Sequence, residues 1–509
     1  MNSTYRSLWN ESLGAWVAAP ETTSARGKRS GSCVAGSAEA GTQAPRRLRA
    51  RITTMLMAMS GLGLASLAQA QSVTCLPAPY NDYSGTASCM GYGATAAGVG
   101  ATALGSLAAA DVLGGLAVGY TAHTTALNAI GVGFGAYATG GNSIYLGART
   151  AAGTGALAVG AIGIGTDVAS TGVNSVAIGA VSQATIAGAV ALGYNSQATG
   201  LNATAVGTSA VASDSGNVAL GVGAIASGLE STALGYATRA LGVNSTAVGN
   251  QVTAASDGSI AISTNNSKAV DAASKNAIAI GWAATVANAP SAIALGDTAT
   301  ASGLYATAIG FEAVATQQAA LAIGRGGEAQ RPNSVGLGMQ AAATGATGSV
   351  ALGSLSTSSG TNSTALGVGA TATDNSAVAI GTASNAAALR TLAIGSGATA
   401  TVLDGIAQGT SAQAGGQNAV AIGFQSVASN TNSVYLGSRT GAGTGALAES
   451  TVAVGTDVTA SQSRAVAMGF QSKATAANAL AVGPLASASA DNAVAMGNGA
   501  IADSAGAGG

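Results

Sequence analysis

Apolar and polar positions alternate in a phrase of fourteen residues that recurs along most of the chain. In three successive copies, Val-Ala-Ile-Gly, Val-Ala-Leu-Gly and Thr-Ala-Val-Gly end at Gly179, Gly193 and Gly207. The same glycine recurs, mostly in steps of fourteen, from Gly91 to Gly497. A fixed period of this kind is typical of a repeat architecture, in which each repeat packs on its neighbours.

Each unit contains two short stretches that suit a β-strand and two turn signals. One turn is the recurring glycine, and the other is a Gly-x-Asn corner such as Gly200-Leu201-Asn202; glycine and asparagine both tolerate a positive φ. Two strands of about five residues and two corners would form one coil of a β-solenoid. The pattern predicts an all-β fold of about 29 parallel coils stacked at roughly 4.8 Å. A helical fold is disfavoured, because each interior glycine costs a helix about 1 kcal/mol.

The two strands of a unit differ in polarity. Val176, Ala177 and Ile178 are all apolar, a pattern typical of strands covered on both faces. One face can line its own coil, but the other needs a partner, because a monomer rarely exposes an apolar patch above a few hundred Å². The second strand, such as residues 196–199, mixes small and polar residues and can face water. The sequence therefore predicts self-association along the array.

Composition and charge support a folded, exported chain. Only 7% of residues are charged and 4% are aromatic, while 76 are glycine. Such values can accompany disorder, but the regular Val, Ile and Leu indicate a packed structure. Residues 1–70 carry a net charge of +5 and residues 71–509 a net charge of −6. The second part therefore offers no basic surface for nucleic acid.

The positive N-terminal part has the order of a secretion signal. A basic segment at residues 46–51 precedes an apolar segment at residues 52–67, and Ala-Gln-Ala follows. This order predicts cleavage between Ala70 and Gln71. A transmembrane helix is the alternative, but the apolar segment is shorter than the about 18 residues that such a helix needs.

The cysteines suit a secreted protein. Cys33 precedes the predicted cleavage site, and Cys75 and Cys89 are fourteen residues apart, which is one repeat. If Cys75 already lies on the stack, the two are in adjacent coils about 4.8 Å apart, within the range of a disulfide. A two-cysteine metal site is the alternative, with His123 as the sole histidine that could join it.

The sequence does not contain the residue sets of an enzyme. Residues 153–158 match a dinucleotide-binding phrase, but no strand–helix unit surrounds them. A single histidine leaves Ser-His-Asp and Cys-His mechanisms without a base. The acidic residues are scattered singly, without the carboxylate pairs of a glycosidase. We therefore expect no catalytic activity, no cofactor and no metal.

Three repeats are four residues too long, and two of these match each other at an offset of 290. Arg149-Thr150 begins the matching segment in the first, and Arg439-Thr440 begins it in the other. Loops that project from a rigid scaffold often carry binding. An insertion that the fold tolerates, copied by internal duplication, is the alternative.

Two segments resemble the YadA-like trimeric autotransporter adhesins. The phrase Asn174, Ser175, Val176, Ala177, Ile178, Gly179 is identical to the head repeat of that family, and the first 28 residues, with Trp9 and Trp16, resemble an extended signal peptide. The resemblance implies a left-handed parallel β-roll that assembles as a homotrimer on the outer membrane of a Gram-negative bacterium. It divides the chain into an extended signal peptide at 1–70, an N-terminal cap at 71–90 and a head array at 91–509.

The resemblance also implies a function. Heads of this family bind matrix proteins such as collagen, and some promote autoagglutination. We therefore expect an adhesin head that attaches to host extracellular matrix or cells, with the head phrase at residues 174–179 as candidate contact. Packing in the core is the alternative role of that phrase, and a biofilm scaffold without a receptor is the alternative function. An ice-binding solenoid is disfavoured, because the exposed strands lack a regular threonine array.

Family members continue into a neck, a heptad-repeat stalk and a C-terminal membrane anchor. The sequence contains no sustained heptads and ends within a repeat. We therefore expect a truncated or anchorless chain, which would be secreted if the anchor is truly absent and would contact a membrane only through such an anchor.

Overall fold

A computed structural model describes residues 5–10, 15–20, 87–264 and 274–504, and its regular elements there are all strands. The chain divides into two units, residues 1–70 and 71–509. In the first unit, Tyr5–Asn10 and Ala15–Pro20 pair as a two-stranded antiparallel sheet. The predicted cleavage site at Ala70 and Gln71 and the predicted disulfide partner Cys75 lie outside the described residues.

The second unit is a parallel β-solenoid in which a full coil gives one strand to each of two sheets. We call them the long-strand sheet and the short-strand sheet. Within the described residues the first has 29 strands and the second has runs of 12 and 16 strands. Each strand pairs in register with the strand one coil away, as Val176 does with Val190. The predicted all-β solenoid of about 29 coils is confirmed, and its handedness stays a prediction.

The strands of the long-strand sheet mostly contain three residues. They are Ser88–Met90, Thr102–Leu104, Leu116–Val118, Ile130–Val132, Ile144–Leu146, Ile162–Ile164, Val176–Ile178, Val190–Leu192, Thr204–Val206, Val218–Leu220, Thr232–Leu234, Thr246–Gly249, Ile260–Ser263, Ile278–Ile280, Ile293–Leu295, Thr307–Ile309, Leu321–Ile323, Val335–Leu337, Val350–Leu352, Thr364–Leu366, Val378–Ile380, Leu392–Ile394, Ile406–Gln408, Val420–Ile422, Val434–Leu436, Val452–Val454, Val466–Met468, Leu480–Val482 and Val494–Met496.

The strands of the short-strand sheet contain two residues each. The first run is Thr95–Ala96, Ala109–Ala110, His123–Thr124, Tyr137–Ala138, Gly155–Ala156, Ala169–Ser170, Gln183–Ala184, Gln197–Ala198, Val211–Ala212, Ile225–Ala226, Arg239–Ala240 and Thr253–Ala254. The second run is Thr285–Val286, Thr300–Ala301, Val314–Ala315, Glu328–Ala329, Ala342–Ala343, Thr357–Ser358, Thr371–Ala372, Asn385–Ala386, Thr399–Ala400, Gln413–Ala414, Val427–Ala428, Gly445–Ala446, Thr459–Ala460, Lys473–Ala474, Ser487–Ala488 and Ile501–Ala502.

These strands are shorter than the predicted five residues, because turns occupy more of each coil than the pattern indicated. The recurring glycine and the Gly-x-Asn corner both adopt a positive φ, 119° at Gly179 and 54° at Asn202. A further positive φ, which the sequence did not indicate, occurs two residues after the recurring glycine, as at Val181 with 54°. A positive φ is unusual for a β-branched residue. The extra turn residue therefore shortens the strands on both sides of the corner.

The recurring glycine is required by space as well as by φ. A Cβ added to Gly179 would lie 2.5 Å from the carbonyl oxygen of Gly193 in the next coil. No side chain fits at that distance, so the coils can stack closely only if this position has none.

The interior of each coil is built almost entirely from alanine. Ala177 from the long strand and Ala184 from the short strand are completely buried, and Ser175 and Ser182 fill the inward positions just before them. Alanine loses no side-chain rotamer freedom when it is buried. The core is therefore a continuous stack of small side chains, and the larger Val, Ile and Leu residues of the long strands face away from it.

Candidate functional surfaces

The outward side of the long-strand sheet is the most distinctive surface of the solenoid. Within each three-residue long strand the middle residue is inward and the two flanking residues are outward, as Val190 and Leu192 are around Ala191. In the 29 described strands, none of these outward positions carries a charge. The first outward row contains Val, Ile, Leu and Thr, with one serine at Ser88. The second row is apolar in every strand except at Gln408.

We call this surface the apolar face. Its side chains are only partly covered within one chain; Ile178, for example, keeps 36% of its surface exposed. A continuous apolar stripe of this length exceeds what a monomer normally exposes. As predicted, each long strand has one face packed inside its own coil and one face that nothing in the described part of the same chain fully covers.

The outward side of the short-strand sheet is different. Gln183 and Gln197 are half-buried there with Ala184 and Ala198 inward, and charged side chains such as Arg239 occur in the same row. A surface with this mixture needs no covering partner. The predicted difference between the two strands is therefore confirmed.

An aromatic row borders the apolar face. The residue directly after the recurring glycine is often aromatic and half-exposed, and we call this row the aromatic corner. Tyr120 and Phe134 stack with their ring centroids 5.6 Å apart, and the guanidinium of Arg325 lies 5.8 Å from the ring centroid of Phe311. The exposed aromatic members are Tyr92, Tyr120, Phe134, Tyr194, Tyr236, Trp282, Phe311, Phe424 and Phe470. The sequence analysis missed this row, although its fourteen-residue spacing was visible.

The two matching loops are held by a carboxylate. Thr150 donates to Asp167 through its hydroxyl at 2.7 Å and its backbone N–H at 2.5 Å, and the N–H of Ala151 donates at 2.8 Å. The second loop repeats this arrangement with Thr440 and Asp457. In both loops the threonine hydroxyl, followed by the backbone N–H groups, lowers the pKa of the aspartate.

A buried tyrosine lies beneath each loop. Tyr145 and Tyr435 are completely buried at inward positions that alanine holds in most coils. Their hydroxyls donate to loop carbonyls, at 3.0 Å to Ala148 and 2.9 Å to Ser438. Burial raises the pKa of both phenols. The sequence analysis missed both residues, although Tyr-Leu-Gly precedes each loop at the same offset of 290.

The loop arginines make local contacts. Arg149 lies with its guanidinium carbon 4.5 Å from the ring centroid of Tyr137 and donates from Nε to the carbonyl of Thr154 at 2.8 Å. Arg439 holds the equivalent sequence position in the second loop and contributes to the low pKa of Asp457, but its Nε is buried without a hydrogen-bond partner among the described residues. The shared feature of the two loops is therefore the bonded aspartate, and whether the loops bind a ligand stays a prediction.

The head phrase at residues 174–179 is divided between structural and outward positions. Ser175 and Ala177 are completely buried in the coil, and Asn174 forms the corner with a φ of 55°. Only Val176 and Ile178 reach the apolar face. The core role that the sequence left open therefore applies to two of the six residues.

The structure describes only one of the two cysteines of the predicted disulfide. Cys89 is disulfide-bonded, but Cys75 lies outside the described residues, so their pairing stays a prediction.

The sole histidine, His123, lies 2.7 Å from a carboxylate oxygen of Asp111, beside the ring of Tyr137. In the described part of the chain, no group of three or more His, Cys, Asp or Glu residues could hold a metal ion. Nor does any helix there have the length and apolarity to cross a membrane.

Comparison with protein-family models gives two matches. The Extended Signal Peptide of Type V secretion system matches residues 1–48. The YadA head domain repeat matches segments that together cover more than half of the chain. These are residues 90–108, 170–196, 198–224, 218–238, 226–251, 240–262, 287–313, 301–326, 358–384, 375–398, 403–426, 414–440, 446–472, 460–486 and 474–500. Comparison with individual proteins of curated function gives no significant match.

The two matches agree with the geometry. The extended signal peptide indicates export through autotransporter secretion in a Gram-negative bacterium. The head repeats account for the solenoid and its fourteen-residue coils, and the YadA-like adhesins are non-enzymatic. The chain therefore belongs to the trimeric autotransporter adhesins with YadA-type heads.

Proposed function

We propose that the repeat array is an adhesin head that assembles as a homotrimer at the bacterial surface. The charge-free apolar face carries this proposal, because it offers two outward side chains per coil with no partner in their own chain. Fully burying a Val, Leu or Ile side chain contributes about 1.5–3 kcal/mol. Homotrimers of YadA-like heads provide the kind of partner that such a face requires.

Adhesion would then use the surfaces that the assembly leaves free, which are the outward side of the short-strand sheet and the two projecting loops. Successive coils present similar residues at intervals of roughly 4.8 Å. Many weak contacts along such an array raise avidity without any single strong site. We propose an extended ligand, such as collagen or another host matrix or cell-surface protein, and contacts between arrays for autoagglutination.

The head phrase contributes little free surface to this contact. Val176 and Ile178 would be covered in the trimer, and Ser175 and Ala177 are already buried. Asn174 is exposed at its corner in one chain; it lies beside Val173, so a matrix ligand could touch it only on the side of the corner that the assembly leaves free. We therefore keep residues 174–179 as a candidate contact through this corner.

Shortening the array should weaken adhesion gradually. Binding to immobilised collagen and to whole cells is measured for variants that lose increasing numbers of coils. A second variant removes only residues 439–445, and a matched control carries Asp457→Asn, which loosens the same loop without deleting it. We expect avidity to fall with each removed block and to change little with either loop variant.

Two outcomes would contradict this. If removing residues 439–445 alone abolishes binding, the site is the loop and the contact is not distributed. If no length of the array binds or agglutinates, the chain is a structural scaffold without a receptor.

The exported chain should begin at Gln71 and contain a Cys75–Cys89 disulfide. In the chain-entropy model, a loop of this size contributes about 3 kcal/mol. Intact mass spectrometry without reductant reports both features, because cleavage after Ala70 fixes the mass and a disulfide lowers it by two hydrogens. Retention of residues 1–28 would contradict the cleavage, and free thiols at both cysteines would contradict the bond.

A further inference from the structure

Both corners that border the apolar face carry exposed apolar side chains. The aromatic corner follows each long strand. Three residues before the strand lies a second row, which we call the aliphatic corner. Its exposed members are Leu113, Leu127, Val159, Val173, Leu201, Leu229, Val243 and Leu304. The apolar face thus continues around both of its edges, and neither edge is covered within the chain.

The two rows are enriched in the same part of the array. Seven of the nine exposed aromatic residues and all eight exposed aliphatic residues lie before residue 312. Four long strands are flanked by both kinds of residue; they begin at Leu116, Ile130, Thr232 and Thr307. Tyr236, for example, follows the strand that Leu229 precedes, and the two keep 55% and 40% of their surfaces exposed. At these four heights both edges of the apolar face carry exposed apolar side chains in the same coil.

Symmetry determines which corners would meet in a trimer. The long strands run across the stack and are all parallel. A three-fold rotation about an axis along the stack turns the strands of each protomer to a new direction but keeps the sense in which they run around the axis, so the strand ends of one protomer point toward the strand beginnings of the next. Such a contact is heterologous, joining two different patches rather than one patch to itself. The corner that follows the strands therefore faces the corner that precedes them in the neighbour.

We propose that the aromatic corner of each protomer packs against the aliphatic corner of the next, forming three identical seams along about the first half of the array. This rests on the proposed homotrimer and specifies its outer contacts. The occupant of each corner is a second copy of this chain, because both rows are continuous with the face that the trimer would cover. Half-exposed aromatic rings suit such a place, since they bury a large area when a neighbour packs on them.

Engineered disulfides test the seam directly. The exported protein carries Leu229→Cys and Tyr236→Cys together, and each substitution alone as a matched control. The double variant should form a covalent trimer on a non-reducing denaturing gel, because each seam brings one cysteine of each kind together. Each single variant should stay uncrosslinked, because the three copies of either residue lie at three separate seams.

Trp282 provides a second measurement. It is the sole tryptophan after residue 70, it belongs to the aromatic corner, and 48% of its surface is exposed in one chain. In the wild-type assembly its fluorescence should be shifted to the blue and quenched several-fold less by acrylamide than in a monomeric variant.

The outcomes separate the seam from the trimer. If sedimentation shows a trimer but the double variant does not crosslink and Trp282 is as accessible as in the monomer, the seam is wrong and the trimer stands. A single variant that crosslinks into dimers would indicate two-fold pairing and overturn the seam. A wild-type protein that sediments as a monomer would overturn both.

Discussion

Aspartate placed along the apolar face should convert the proposed homotrimer into a folded monomer. The substitutions replace Ile178, Val206, Leu234 and each alternate strand of the same outward row in both directions. Each side chain lies on the apolar face and none belongs to the coil interior. In the trimer the new carboxylates would be buried without partners, close to like charges from the other chains. Burying one unpaired charge costs several kcal/mol, and the cost recurs at every substituted coil.

The control places the same number of aspartates on the other sheet. Gln183, Gln197 and the equivalent outward positions of the short-strand sheet face water in one chain. This variant should remain trimeric and equally β-rich. Sedimentation gives the mass of each variant, and far-ultraviolet circular dichroism shows whether the coils persist. If the apolar-face variant unfolds while the control stays folded, the face stabilises its own coil and not an assembly.

The fold was accessible from the sequence because one period determines it. In a solenoid the register between strands follows from the repeat length, so Val176 pairs with Val190 once fourteen is recognised. The orientation of the strand then follows from side-chain volume, because the small Ala177 fits inside the coil and the larger Ile178 does not. The number of protomers in the assembly could not be predicted in this way. An uncovered apolar face indicates that a partner exists, but it does not indicate how many chains assemble.

Features that depend on contacts between distant residues were missed. Tyr145 is buried at an inward position that a small residue holds in most coils. The core accommodates it because its hydroxyl donates to a carbonyl of the inserted loop. Asp167, which closes that loop, lies seventeen residues after Thr150. Neither partner can be identified until the register and the path of the loop are known. The strand lengths were overestimated because a positive φ at residues such as Val181 has no residue-type signal.

Aspartate placed inside a coil should instead unfold the array locally. Ala191 is completely buried and pairs in register with Ala177 and Ala205 of the neighbouring coils. A carboxylate at that position would have no partner and no water, which costs several kcal/mol. Because each coil of a solenoid contacts only its neighbours, the loss should stay near the substitution and divide the array.

Hydrogen exchange measured by mass spectrometry tests this prediction. The variant Ala191→Asp should lose protection in the coils near residues 176–207, and a protease should cut there. The matched control Gln197→Asp places the same charge in the same coil on the outward side of the short-strand sheet, away from the apolar face, and should leave the protection of these coils nearly unchanged. A third variant, Ala191→Tyr, separates volume from charge. Tyrosine occupies this position in the described coils only beneath the two loops, so in a coil of ordinary length it should overpack the core, at a cost of at least about 1–3 kcal/mol. Equal protection in Ala191→Asp and Gln197→Asp would mean that the alanine stack is not a closed interior, because a carboxylate would then have the same effect at an inward position as at an outward one.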